Sequence, residues 1–193
     1  MDAGMTNGSS MTEVTVASLG LDKSSNTPVV ILRESGGERL LPIWIGPGEA
    51  SAIAMQLAGI KFSRPLTHDL FTTMVRGLGS ELVRVLITRV VENTYYASLI
   101  LRLDGEFISV DSRPSDSIAL ALRANAPIFA DDELLELTAM EIEEAGFDEA
   151  SFESADVVEA VEPGSSPEDK ENGEQLREYL KRLNPEDFGR FKP

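Results

Sequence analysis

The sequence contains no cysteine and a single histidine in 193 residues. The first absence excludes disulfides, thiolate metal sites and thiol nucleophiles. The second means that any imidazole acid–base chemistry has to use His68. No apolar run approaches the ~20 residues of a membrane-spanning helix, so no membrane association is expected. The motifs GxxxxGK[ST], GxGxxG, GxSxG and HExxH are all missing, and P-loop, Rossmann, serine hydrolase and zinc protease readings fail with them. The first ten residues, MDAGMTNGSS, carry neither a basic stretch nor an apolar segment, so they do not read as a secretion signal. A cytoplasmic protein with a disordered stretch over residues 1–10 is the expectation.

Positive charge is also scarce: 17 Lys and Arg stand against 33 Asp and Glu. The imbalance is local. Residues 11–130 hold 12 acids and 11 bases, whereas residues 131–193 hold 20 acids and 6 bases. The acidity therefore belongs to the C-terminal third. Nine of the 11 bases in the first stretch are Arg, the side chain suited to planar, bidentate contacts with carboxylate or phosphate. Nucleic-acid binders normally carry a basic footprint, so by charge alone nucleic acid is a weak partner.

What is present reads as strands followed by helices, twice. TEVTVASLGL, TPVVILRE and ERLLPIWIG alternate in the manner of strands and are separated by Ser-Ser-Asn and Gly-Gly turns, which suggests an antiparallel meander. Pro42 in the third run marks an edge strand or a bulge. GPGEASAIAMQLAGI and RPLTHDLFTTMVRGLGS switch to helical spacing. Two long alternating strands, ELVRVLITRVVE and YYASLILRL, meet at Asn93-Thr94, and Asp104-Gly105 turns the chain into EFISVD. A helix over Ser117–Ala124 and another from about Asp131 to Ala145 follow. The expected fold is α+β, a mainly antiparallel sheet packed with about four helices, as a single domain over residues 11–145 with an acidic tail. Residues 146–172 have the composition of a linker. Residues 173–193 recover helical periodicity through Leu176, Tyr179, Leu180 and Leu183. The two long strands are apolar at nearly every position, as if covered on both faces, and a homo-oligomer is expected.

Two elbows share a construction. Arg64-Pro65-Leu66-Thr67-His68-Asp69 opens one helix and Arg113-Pro114-Ser115-Asp116 opens another. Proline pre-sets the first turn, and a hydroxyl and an Asp stand where free backbone N–H groups need acceptors. Capping explains one such residue in each elbow. It does not explain why Asp111 and Arg113 accompany Ser115 and Asp116. Helix N-termini favour anions, and an adjacent Arg adds a phosphate contact, which makes Arg64, Arg113 and Ser115 candidate phosphate-binding residues. Glu49, in the first turn of another helix, is a further candidate. Were Glu49, Asp69, Asp111 and Asp116 to converge, their oxygens would suit Mg²⁺ or Mn²⁺.

The segments IGPGEASAIAMQL, RPLTHDL, YYASLILR and DSRPSDSIALALR together resemble the bifunctional nuclease domain family, over about Met11 to Ala145 and in the family's order and spacing. The family's last motif is usually Asp-Ala-Arg-Pro-Ser-Asp-Ala, and here Ser112 and Ser117 replace the two alanines. The resemblance implies an α+β domain that self-associates, with a nuclease activity on DNA and RNA. It directs attention to Glu49, Arg64, His68, Asp69, Asp111, Arg113, Ser115 and Asp116 without fixing their roles.

Two functional classes follow. In the first, a nuclease, His68, Asp69, Asp111 and Asp116 form the catalytic set, with Glu49, Asp111 and Asp116 around a divalent metal. In the second, a non-catalytic oligomeric module uses the same elbows to bind a small anion, a nucleotide or a protein partner.

Overall fold

The computed structural model describes residues 10–22, 25, 27–144 and 152–154. Strands β1 (Met11–Asp22), β2 (Thr27–Glu34) and β3 (Leu40–Trp44) form the expected antiparallel meander, and helices α1 (Pro47–Leu57) and α2 (Thr67–Gly77) follow. Then come β4 (Glu81–Val91), β5 (Thr94–Leu103), β6 (Glu106–Ser112), helix α3 (Pro114–Ala124), strand β7 (Ile128–Asp131), helix α4 (Asp132–Glu144) and the short β8 (Phe152–Ser154). The main path of the sheet runs β3-β2-β1-β7-β4-β5-β6, with β8 paired to β1. An α+β single domain with a mostly antiparallel sheet is what the hydrophobic pattern implies. The expectations for residues 1–9 and for the C-terminal helix fall outside the described residues, as does the expected linker apart from Phe152–Ser154, which forms a short strand against β1.

Two of the hairpins follow from local chemistry. Glu92-Asn93 and Asp104-Gly105 all hold positive φ (48°, 59°, 51° and 88°), the left-handed pairs that type I′ turns require. Pro42 sits in β3, an edge of the sheet, where its missing N–H interrupts no interior ladder.

Two boundaries differ from the sequence reading. Helix α3 begins at Pro114, three residues before Ser117, so the polar elbow is the helix's first turn rather than a loop in front of it. The segment between α3 and α4 is not a connector but strand β7. It pairs antiparallel with β1 and parallel with β4 and so joins the two halves into one sheet. At four residues it is too short to show alternation, and its role depends entirely on partners distant in sequence.

The helices cover one face. Val14, Leu32, Val85, Ile87, Ala97 and Ile128 from the strands meet Ile53, Ile118 and Leu135 from α1, α3 and α4 in one continuous core. Their cross-strand partners show that this is a single side of the pleat: Val85 faces Ile128, and Ile87 faces both Ala130 and Ala97. Helix α2 is different. It buries no residue, and Leu70, Phe71, Met74 and, just beyond its end, Leu78 are 48–74 % exposed.

Candidate functional site

The first turns of α1, α2 and α3 come together at one edge of the helical layer, with α1 against α3 and α2 against α3. The turn residues then meet by ion pairing. Arg113 is the N-cap residue of α3, held extended at φ −71° and ψ 144° as a residue before proline must be. Its side chain folds back over its own helix, Nε 2.7 Å from Asp116 Oδ2, and an NH1 lies 2.8 Å from Glu49 Oε1 of α1. The other oxygen of Asp116, Oδ1, is 3.2 Å from His68 Nε2 of α2. A chain of four groups, Glu49–Arg113–Asp116–His68, thus crosses three helices. Glu49 curls over Gly46, where a side chain on the N-cap of α1 would collide with the carboxylate.

A second clasp sits beside the first. Arg123, in the last turn of α3 and 6 % exposed, places Nε 2.6 Å from Asp69 Oδ1. Its NH1 donates to the Ala119 carbonyl at 2.9 Å, and its NH2 to the Ala52 carbonyl of α1 at 3.1 Å. The second oxygen of Asp69 accepts the Leu66 N–H at 2.9 Å. Asp69 is therefore a cap as well as an ion-pair partner. Asp116 caps nothing: α3 has no side-chain cap, and both of its oxygens face charged or ionisable groups.

The charges respond to these partners. Burial pushes the Asp116 carboxyl up, but the Arg113 guanidinium and His68 outweigh it and hold the group below the ordinary carboxylate range. Asp69 is lowered in the same way: burial opposes, and Arg123 with the Leu66 N–H prevails. Arg113 is raised, chiefly by its bond to Asp116.

The residues singled out in the sequence divide as follows. Glu49, His68, Arg113 and Asp116 come together, and Asp69 is adjacent through the second clasp. Asp111 stands apart. Ser112 turns toward the helices, where its Oγ is 2.5 Å from Ser117 Oγ, so by strand alternation Asp111 projects from the opposite face of the sheet. It is exposed and has no hydrogen-bond or ion-pair partner among the described residues. Arg64 is likewise exposed and without a partner among them, at the entry to α2. Ser115 is buried in the first turn of α3, 7 % exposed.

Metal binding requires acidic oxygens that face one another. Among the described residues no group of three or more His, Asp or Glu side chains is placed to share an ion. Glu49 and Asp116 are bridged by a guanidinium, and Asp111 lies on the other face. As they stand, these donors do not fit a divalent cation; Arg113 supplies the positive charge at this point.

Sequence reasoning missed Arg123 and the serine pair. An Arg in the last turn of a helix reads as a complement to the helix dipole, and nothing local announces that it is buried. Ser117 is fully buried, yet its hydroxyl is satisfied by Ser112. The two positions at which this chain departs from the family's alanines are thus in contact with each other.

With this geometry in place, comparison with known proteins is decisive. A family profile described as Bifunctional nuclease domain matches residues 30–143. The chain belongs to this family. An uncharacterized protein of Mycobacterium tuberculosis, Rv1829, is 38 % identical over 178 residues, covering 92 % of this chain and 98 % of that protein. Plant relatives carry the family's name: Bifunctional nuclease 1 of Oryza sativa subsp. japonica is 32 % identical over 110 residues, 55 % of this chain and 33 % of the plant protein. Bifunctional nuclease 1 of Arabidopsis thaliana is 30 % identical over 128 residues, 65 % of this chain and 39 % of its own length. The plant proteins therefore match over about a third of their length.

Two expectations follow. Ser112→Ala strands a buried hydroxyl and should cost about 1–3 kcal/mol, whereas Ser112→Ala with Ser117→Ala should be close to neutral. Urea unfolding of the two single variants and the double variant measures this, and additive losses would refute the coupling. Asp69 and Asp116 have folded pKa values below their unfolded ones, so the unfolded chain binds more protons as pH falls. Their stabilisation is complete above the unfolded carboxylate range and is lost as pH falls through the lowered folded values. The urea midpoint should thus decline between about pH 5 and about pH 2, and the decline should be shallower in Asp69→Asn.

Proposed function

We propose that this protein is a nuclease that hydrolyses phosphodiester bonds of DNA or RNA, with the Arg113–Asp116–His68 group at its centre. The observation that carries this reading is the double engagement of Asp116, one oxygen on a guanidinium and the other on the only imidazole. An ionised carboxylate only accepts hydrogen bonds, so Nε2 carries the hydrogen and Nδ1 is the basic nitrogen. Asp116 thereby fixes the ring's tautomer, and His68 takes a proton from the attacking water and returns one to the leaving oxygen. The Arg113 side chain is 65 % exposed and can keep one carboxylate while its remaining N–H groups meet a phosphate. Arg64 and the Ser115 hydroxyl at the neighbouring helix starts would take further phosphate oxygens. Asp69 holds the first turn of α2 so that His68 faces Asp116, while Asp111 lies on the opposite face of the sheet.

The apolar hollow between α2, α3, β4 and β5, lined by Val75, Leu82, Leu99, Leu101 and Leu120, contains none of these residues. A divalent cation, Mg²⁺ or Mn²⁺, would reach Glu49 and Asp116 only by displacing the guanidinium. The metal-assisted form of the reading is therefore the one that a chelator arm decides.

One observation favours the second class of function. Every charge in the cluster already has a partner, as in a purely structural clasp around an anion- or protein-binding module. Cleavage of a labelled single-stranded oligonucleotide separates the two classes. His68→Ala and Arg113→Gln should each reduce the rate by about 10²-fold or more. Wild-type rates in both variants, from protein stripped of contaminating nucleases, would overturn the nuclease reading. A chelator that abolishes cleavage, restored by Mn²⁺, would assign the metal-assisted form.

We further propose that the chain self-associates through the outward face of α2. Its exposed Leu70, Phe71, Met74 and Leu78 form an apolar stripe, the kind of patch that marks an interaction surface. Light scattering should show an oligomer, and Phe71→Glu with Leu78→Glu should give the monomer mass. A wild-type monomer at micromolar concentration would refute it.

A further inference from the structure

The face of the sheet opposite the helices has its own character. Strand alternation and register place Arg84, Leu86 and Arg89 of β4 on it, with Tyr96, Ser98, Ile100 and Arg102 of β5 and Phe107, Ser109 and Asp111 of β6. Leu86, Tyr96 and Ile100 are half-buried at most, and none of them packs against the core. No described helix covers this face. It is also not an apolar interface: three guanidiniums, the carboxylates of Glu81 and Asp111, and the hydroxyls of Ser98, Ser109 and Tyr96 lie among the rings and aliphatic side chains.

Their arrangement is specific. The Arg89 guanidinium lies over the Tyr96 ring, 4.4 Å from its centroid. Phe107 is opposite Arg102 and 63 % exposed. Arg102 is paired with the exposed Glu81, and Arg84 has no partner among the described residues. Rings set among guanidiniums on an open antiparallel sheet offer unpaired bases stacking surfaces and their phosphates cations. Tyr96 and Phe107 stand six register positions apart, about 20 Å along the sheet. Duplex DNA would need a helix or ribbon for its groove, and this face offers neither.

We propose that the outward face of β4–β5–β6 is a docking platform for single-stranded nucleic acid, with bases on Tyr96 and Phe107 and phosphates on Arg84, Arg89 and Arg102. It rests on the nuclease reading and extends it. Strand β6 is an edge strand, and its end runs directly into Arg113, so a strand lying on the platform passes over that edge to the cluster. The platform also answers the charge objection. A near-neutral domain with a few well-placed arginines and rings can bind a single strand through stacking, with only a modest salt dependence.

The test uses the full chain carrying His68→Ala, so that cleavage is slow on the time of the measurement, and a fluorescein-labelled oligothymidylate followed by anisotropy. Arg84→Gln with Arg102→Gln should weaken binding roughly tenfold and flatten the salt dependence by about 0.7 per lost contact. Tyr96→Ala should weaken it roughly tenfold with the salt slope unchanged. Ser109→Arg, which adds a cation to the same face, should tighten binding; a variant that fails to fold cannot do so. In the otherwise wild-type chain, the arginine variants should raise KM for cleavage of the same oligonucleotide and leave kcat in place. If the wild type cleaves but all three sets bind like the parent, the platform is overturned and the nuclease reading survives. If the wild type neither binds nor cleaves, both fall. Altered oligomeric mass with unaltered binding would assign the face to self-association and also overturn the proposal.

Discussion

The geometry at the helix edge depends on one buried side chain, Arg123. A guanidinium that is 6 % exposed is costly to hold away from water unless its N–H groups are met. Here they are met by a carboxylate of α2, a carbonyl of α1 and a carbonyl of its own helix. Those partners fix the three helices relative to one another as no apolar contact would, because apolar packing tolerates sliding and a planar fork does not. Helix α2 needs this most, since it buries no residue of its own. Without Asp69 on Arg123, little would hold His68 toward Asp116.

The exposed cluster is built on that support and has the opposite character. Arg113 is largely in water, and each of its pairings taken alone is worth little. Its value is chemical. A carboxylate that shares a guanidinium and an imidazole remains ionised and orients the ring. The two arginines of α3, ten residues apart, thus differ: the buried one fixes positions, and the exposed one is the residue proposed to meet a phosphate.

The two faces of the sheet differ in character. On one side the apolar residues of β4 and β5 meet the helices; on the other, the same strands present arginines, hydroxyls and rings. These strands are apolar enough to suggest cover on both faces. In the structure, the second face is open among the described residues and mixed in composition. The bulges between Leu82 and Arg84 and between Ile87 and Arg89 shift the alternation, which is why a strict period-two count misjudges which side each Arg occupies.

The sequence by itself determined the meander, both glycine- or asparagine-based hairpins, the edge position of Pro42, the four helices and the two elbows. In each case the cause lies within a few residues: alternation, a left-handed turn, a proline that fixes φ. It also carried the family's motifs, and with them the positions worth inspecting. Only the tertiary structure decided that β7 is a strand, because its hydrogen bonds go to β1 and β4, more than 100 and some 40 residues away. Only the tertiary structure brought Glu49, His68 and Asp116 to a single guanidinium, and only it set Asp111 on the other side of the sheet. It alone showed Ser112 and Ser117 as one hydrogen bond. These are relations between elements, set by how helices pack on a twisted sheet, and no local pattern encodes a distance across that packing.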